Sequence, residues 1–206
     1  MIDFDASSMD WDKSGGLVPA IVQDARSGAV LMLGYMNREA LAATLQSGRV
    51  TFFSRSKNRL WTKGESSGFW LRLTAIHADC DCDSLLVSAL PGGPTCHRGT
   101  QSCFGDASVP AMGFLGRLDA LIDTRERERP ADSYTSKLFD AGIRRIAQKV
   151  GEEGVEVALA AASGDDAELL DESADLLFHL SVLLRARGKS LADVAAVLAT
   201  RHTGGA

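Results

Sequence analysis

No stretch of this 206-residue chain approaches the roughly 18 uninterrupted apolar residues of a membrane helix, which argues against a helical span. It has no long basic run either. Twenty-two Lys and Arg against 27 Asp and Glu leave a net charge of −5, so nothing recommends DNA or RNA as a partner. Met1 to Asp12 is acidic and holds no apolar core of a secretory signal, so the cytoplasm is the expected location. Cysteine is scarce: four residues, all between positions 80 and 103. Without an export signal, such clustering favours metal binding over disulfides. What is present in quantity is apolar material, 45% of residues, enough for one large domain or two small ones.

Two textures meet near residue 110. Before it, short β-rich runs alternate with turn residues: Leu17 to Asp24, Val30 to Tyr35, Val50 to Ser54 and Trp70 to Ile76. Asn37 to Gln46 reads as a short helix capped by Asn37. After residue 113, Phe114, Leu115, Leu118, Leu121 and Ile122 recur at helical spacing up to Pro130. Helical runs follow at 142–162 and 166–187, and a last helix opens at the capping-box-like Ser190-x-x-Asp193. The expected architecture is a sheet-based α+β domain over residues 1–110 and an all-α domain over 114–206. The small, polar segment Gly105 to Gly113 is the expected linker.

In the first half the strongest signal is Asp79-Cys80-Asp81-Cys82-Asp83. If extended, it points three carboxylates one way and two thiols the other. Hard oxygens suit Mg²⁺ and soft thiolates suit Zn²⁺. With Cys96 and Cys103 further on, Cys80 completes three thiol ligands and leaves a fourth position for water, a catalytic arrangement. The plainer alternative is buried cysteines beside a solvated acidic turn. The stretches LVPAIVQD, VLMLGYMNREAL, FFSRSKNRLWTKGESSG, ADCDCDSLLV and GPTCHRGTQSCF make residues 17–105 resemble phosphoribosyl-AMP cyclohydrolase along nearly their whole length. The resemblance implies that Cys80, Cys96 and Cys103 hold Zn²⁺ and that Asp79, Asp81 and Asp83 hold Mg²⁺. It also implies an obligate-dimer fold, a homodimer with zinc ligands drawn from both chains. Cys82 gains no role and reads as a packing residue.

Water addition to the adenine C6 needs a nucleophile and a proton relay. His97 follows a zinc ligand directly and is the candidate base, with a structural role as its equal competitor. Arg55, Trp61, Lys63, Glu65 and Ser67 are the candidate substrate-binding residues of the 54–68 region. The bland alternative there is a solvated basic hairpin. His77 is assigned to the fold and His202 to a frayed tail.

In the second half, Lys149, Glu153 and Glu156 share a helical stripe about 60° wide beside the apolar face. Glu172 and Asp175 share another on the next helix. Inward acids on two neighbouring helices call for neutralisation and so suggest magnesium. Acids at i,i+3 on solvated faces are the common alternative. The stretches SYTSKLFDAGIRRIAQKVGEEGVEVALAA and ELLDESADLLFHLSVLL make residues 115–201 resemble phosphoribosyl-ATP pyrophosphohydrolase, an all-α nucleotide pyrophosphatase family. The resemblance implies that Glu153, Glu156, Glu172 and Asp175 bind Mg²⁺, that Glu152 assists, and that Lys149, Lys137 or Arg144 offsets phosphate charge.

The two implied reactions are consecutive, because the product of the second module is the substrate of the first. A bifunctional hydrolase acting on phosphoribosyl nucleotides in histidine biosynthesis is the reading that follows. Its rivals are a house-cleaning nucleoside triphosphate pyrophosphatase with a structural zinc module, and a non-enzymatic zinc adaptor that dimerises through its helices.

Overall fold

The computed structural model describes residues 2, 4–105, 110 and 112–203. The chain divides into two compact units, Met1–Phe114 and Leu115–Ala206. Most of the expected linker, residues 106–109 and 111, lies outside the described residues.

In the first unit, β1 (Val18–Asp24) and β2 (Val30–Met36) form an antiparallel hairpin. β5 (Leu71–Ala78) and β6 (Leu85–Pro91) form a second, and β6 lies parallel to β1. The resulting sheet has the order β2-β1-β6-β5. Between the hairpins run α1 (Arg38–Ser47) and the two-stranded β3 (Thr51–Ser54) and β4 (Arg59–Thr62). Asn37 caps α1 as expected, its side chain accepting the Ala40 N–H at 2.9 Å.

Val18, Ala20 and Val22 alternate inward along β1 and meet Val87 and Ala89 of β6 in the core, as period-2 patterning requires. Phe52 joins this core against Gly34 of β2, where an added Cβ would lie 2.3 Å from the Phe52 ring. The missing side chain is what lets the ring in. Truncating a buried Phe to Ala costs about 3–5 kcal/mol.

The second unit is helical: α2 (Gly113–Glu128), α3 (Tyr134–Ala141), α4 (Ile143–Ser163), α5 (Asp166–Ala186) and α6 (Leu191–Thr203). Its core is small: Ile122, Leu138, Phe139, Ile146 and Val182. Arg185 of α5 reaches Asp119 and Asp123 of α2 at 3.3 and 3.1 Å. Both long helices, α4 and α5, fall where the apolar periodicity places them.

Besides the short 3-10 turn Ala6–Ser8, three elements go beyond the expected set. β4 has four residues, too few for a periodic signal. β6 is a run of Leu and Val in a central strand, which reads the same as a buried helix turn. α3 is eight residues long and stands on its cap, with Ser133 accepting the Ser136 N–H at 3.3 Å.

Candidate functional site

The Asp79–Asp83 segment is not extended. It forms the tight turn between β5 and β6, with Cys82 in the left-handed region at φ 58°. This corrects the expected alternation of thiols and carboxylates. Asp79 organises the turn: its Oδ1 accepts the N–H groups of Asp83 and Ser84, each at 3.0 Å. The turn still converges the three acids. Asp79, Asp81 and Asp83 each place one oxygen within 4.8 Å of the others. Three hard anionic oxygens so close repel one another and suit a divalent cation. Lys13 offsets part of that charge by bonding Asp81 and by approaching Asp83 to 2.8 Å. Its hydrogen bond holds the Asp83 carboxyl below the usual range. The Lys13 segment is itself pinned to the turn, Asp10 N–H donating to the Cys82 carbonyl at 2.8 Å.

The remaining cysteines sit elsewhere. Cys96 and Cys103 line a cavity of about 400 Å³ together with Trp61, Lys63, Ser67 and His97. Six residues singled out in the sequence therefore meet at one place. The Cys103 loop is fixed on β2, with Cys103 N–H donating to the Leu31 carbonyl at 2.8 Å and the Ser102 hydroxyl to the Val30 carbonyl at 2.7 Å. His97 Nδ1 lies 3.9 Å from Cys96 Sγ. A backbone hydrogen bond from Arg98 pulls the Cys96 thiol below its ordinary value, which favours the thiolate that a metal requires. Burial pushes the Cys103 thiol up. Lys63 is 8% exposed and makes no ion pair to a carboxylate among the described residues. A buried, unpaired ammonium is expensive and calls for an anion.

Cys80 does not join this pair. It is exposed on the acidic turn, and the three thiols form no group within 4.8 Å in one chain. Cys82, expected to pack, is half-exposed on the same turn. Arg55 and Glu65 also lie off the cavity wall. The Arg55 guanidinium stacks over Tyr35 at 3.9 Å, and Glu65 pairs with Arg59 at 2.6 Å. The sequence reading missed Thr95, whose buried hydroxyl at the cavity wall finds no partner among the described residues. Its only signal was its place beside Cys96.

In the helical unit, Glu153 and Glu156 of α4 and Glu172 of α5 bring one carboxylate oxygen each within 4.8 Å of the others. Glu153 is buried, at 3% exposure, and its charge is met by Lys149 at 2.6 Å, which holds its carboxyl low. Glu156 is pushed up, first by the hydrogen bond it shares with Glu153, then by loss of hydration and the Glu172 charge. Such mutual discomfort is what a divalent cation relieves. Asp175 is not within that group. Glu152 turns away to Gln148 at 2.8 Å, Lys149 at 3.1 Å and Arg145 at 3.3 Å. Lys149 is thus committed to two glutamates. His179, not singled out in the sequence, stands 3.5 Å from Glu153.

A sheet domain with an acidic turn and a thiol-lined cavity, followed by a helical domain with a carboxylate cluster, defines a two-module metal-dependent hydrolase. Residues 32–105 match the phosphoribosyl-AMP cyclohydrolase family and residues 115–202 the phosphoribosyl-ATP pyrophosphohydrolase family. The chain is 66% identical to the histidine biosynthesis bifunctional protein HisIE of Xanthomonas axonopodis pv. citri, over 95% of this chain and 94% of the relative. It is 58% identical to HisIE of Shewanella oneidensis over 96% and 93%, and 57% identical to HisIE of Escherichia coli over 94% and 95%. The chain belongs to the HisIE family of bifunctional histidine-biosynthesis enzymes, with a cyclohydrolase and a pyrophosphohydrolase domain. The house-cleaning reading leaves the cyclohydrolase match unexplained. No helix among the described residues is long and apolar enough to cross a membrane.

Proposed function

We infer that residues 1–110 open the adenine ring of phosphoribosyl-AMP at the Cys96–Cys103 cavity, and that residues 114–206 release pyrophosphate from phosphoribosyl-ATP at the Glu153–Glu156–Glu172 cluster. The observation that carries this is the convergence of Cys96, Cys103, His97, Trp61, Lys63 and Ser67 on one cavity. Trp61 offers a ring face to the purine and Lys63 a buried cation to the phosphate. Ser67 adds a hydroxyl, while Arg55 and Glu65 act through the hairpin that they brace. His97 takes and returns the proton of the attacking water. Cys96, Cys103 and Cys80 would hold a zinc ion, which would supply a water acidic enough to react near neutral pH.

The separation of Cys80 from the other two thiols supports a homodimer in which the partner subunit donates that ligand. Exposed Val155, Leu159 and Leu170 on α4 and α5 also favour an oligomer. The Asp79, Asp81 and Asp83 turn fits Mg²⁺ by its donor set. In the helical domain Glu153, Glu156 and Glu172, with Asp175 one turn along α5, fit a second magnesium site. A magnesium ion held there would supply charge neutralisation for the phosphates and a more acidic water. Glu152 and Lys149 steady the buried Glu153.

A mass-spectrometric time course with phosphoribosyl-ATP, Mg²⁺ and Zn²⁺ tests the reading. Wild type is expected to accumulate the ring-opened product, and Cys103→Ala to stop at phosphoribosyl-AMP plus pyrophosphate. Glu156→Gln is expected to leave phosphoribosyl-ATP intact yet still open supplied phosphoribosyl-AMP. Ring opening by Cys103→Ala at the wild-type rate would remove the thiol site from the mechanism.

A further inference from the structure

Among the described residues of the helical domain, His179 is a buried titratable side chain outside the carboxylate cluster. His179 lies one turn beyond Asp175 on α5 and is 4% exposed. Its Nδ1 is 2.9 Å from the main-chain carbonyl of Asp175 and 3.5 Å from Glu153 Oε1 on α4. Its Nε2 is 3.1 Å from the hydroxyl of Tyr134, in the first turn of α3. Tyr134 and Phe178 pack edge-on to the ring. Three helices thus meet at one imidazole.

The partners settle the roles of the two nitrogens. A carbonyl oxygen can only accept, so Nδ1 carries a proton; in the neutral ring Nε2 then accepts from the Tyr134 hydroxyl. The Nδ1–H therefore points into the gap between the Asp175 backbone and the Glu153 carboxylate. Lys149 Nζ addresses the same Oε1 of Glu153 at 2.6 Å. Glu153 Oε1 is thus bonded by Lys149 and approached at 3.5 Å by the Nδ1 that the Asp175 carbonyl orients.

We propose that His179 is a positioning residue for pyrophosphate release: its Nδ1–H, aimed by Tyr134, holds the Asp175 turn of α5 against Glu153 of α4 and presets the acidic cluster for its divalent cation. This rests on the reading of that cluster as the magnesium site. Groups that orient metal-binding carboxylates from behind in this way affect metal affinity by about 10–100-fold. A histidine that merely filled the core would act through volume alone, and any side chain of similar size would serve.

The test uses the full-length protein with Mn²⁺ as the probe, read by electron paramagnetic resonance. Glu172→Gln marks which bound Mn²⁺ belongs to the cluster. His179→Asn keeps an N–H near the place of Nδ1, whereas His179→Gln keeps one only near Nε2. His179→Gln is expected to weaken the cluster-bound Mn²⁺ by about tenfold or more. It is also expected to raise the Mg²⁺ needed for half-maximal pyrophosphate release by the same factor, with KM for phosphoribosyl-ATP at saturating Mg²⁺ unchanged. His179→Asn is expected to stay within about threefold of wild type. Tyr134→Phe, which removes one hydroxyl from a half-exposed residue, is expected to weaken Mn²⁺ binding at an unchanged Tm. Equal Mn²⁺ affinity in the Asn and Gln variants, or equal losses that track Tm, overturns the proposal. If His179→Gln fails to fold, Tyr134→Phe decides, and wild-type affinity there overturns it. If Glu172→Gln removes no bound Mn²⁺, the magnesium-site reading itself fails and takes the role of His179 with it.

Discussion

Lys13 Nζ lies 2.8 Å from Asp83 Oδ2 and also bonds Asp81, 68 residues along the chain from it. Its ammonium is the cation that the acidic turn carries within the protein itself, and it draws the Asp83 carboxyl down while its own affinity for the proton rises. The pair is solvent-exposed, so its contribution to folding is small. Its effect on a divalent cation is direct, because both seek the same oxygens. Lys13→Met is expected to tighten Mn²⁺ binding at the turn by about two- to fivefold, the size of an exposed ion pair. Calorimetry with Asp81→Asn as the reference for that site checks it. Looser binding would mean that Lys13 orders the carboxylates more than it competes for them.

The separation of Cys80 from Cys96 and Cys103 makes a quantitative forecast for mixed dimers. Cys80→Ala and Cys103→Ala are each expected to lose ring opening. When the two are unfolded together and refolded, half of the dimers pair one of each. In those, the site built from Cys80 of one chain and Cys96 and Cys103 of the other is whole once in two. About a quarter of the wild-type ring-opening activity is therefore expected. With all three ligands from one chain, mixing restores none, and the shared site is lost as an explanation.

These sites were visible in the sequence to different degrees, for physical reasons. The pairs Glu153–Glu156 and Glu172–Asp175 were legible because helical periodicity places residues three apart on one stripe, while the meeting of Glu172 with the first pair depends on how α4 packs on α5. The Asp79–Asp83 cluster was legible by composition but not by geometry. A five-residue run can converge its acids by alternation or by turning, and the left-handed Cys82 selects the turn. The tie from Lys13 to this turn bridges 68 residues of chain, a separation that no local pattern encodes. His179 went unseen because a lone histidine on an apolar face reads as core until Tyr134 and Glu153 are placed beside it. Strand β6 escaped because its outward positions include Leu86 and Leu90, which leaves little apolar–polar alternation to read.

The last helix carries a pH dependence whose sign follows from its cap. The Ser190 N–H and hydroxyl both donate to Asp193 Oδ2 at 2.8 Å, and the Asp193 N–H donates back to Ser190 Oγ at 3.3 Å. These bonds hold the Asp193 carboxyl below the ordinary aspartate range. A depressed carboxyl stabilises the folded form fully above its unfolded value, and that contribution is lost as pH falls through the folded value. The start of α6 is therefore expected to fray as pH drops through the acidic range, and not between pH 6 and 8. Ser190→Ala removes the hydroxyl and keeps the N–H, so it is expected to move the Asp193 titration part of the way back toward the ordinary range, read from its side-chain carboxyl carbon by NMR. An unchanged titration curve would place the cause elsewhere than in the cap.

Gly64 is the residue at which the backbone itself shapes the cavity. Its φ is +100°, and a Cβ there would meet the carbonyl carbon and oxygen of Phe69 at 2.7 Å and the Trp70 nitrogen at 2.8 Å. Those are main-chain atoms with no rotamer to yield, so an alanine must move the strand-entry segment or the loop. Strain and close contact together are expected to destabilise the N-terminal domain by about 2–3 kcal/mol. Gly64 also sits in the cavity wall beside Lys63. A shift of order 1 Å in a substrate-positioning group costs about a hundredfold in rate. Gly64→Ala is expected to lose ring opening to that extent. Pyrophosphate release should stay near wild type, because the helical domain has its own core. Separate assays on phosphoribosyl-AMP and phosphoribosyl-ATP read the two outcomes. Parallel loss of both would show that the two domains depend on one another, and full retention of ring opening would show that the wall at Gly64 can give.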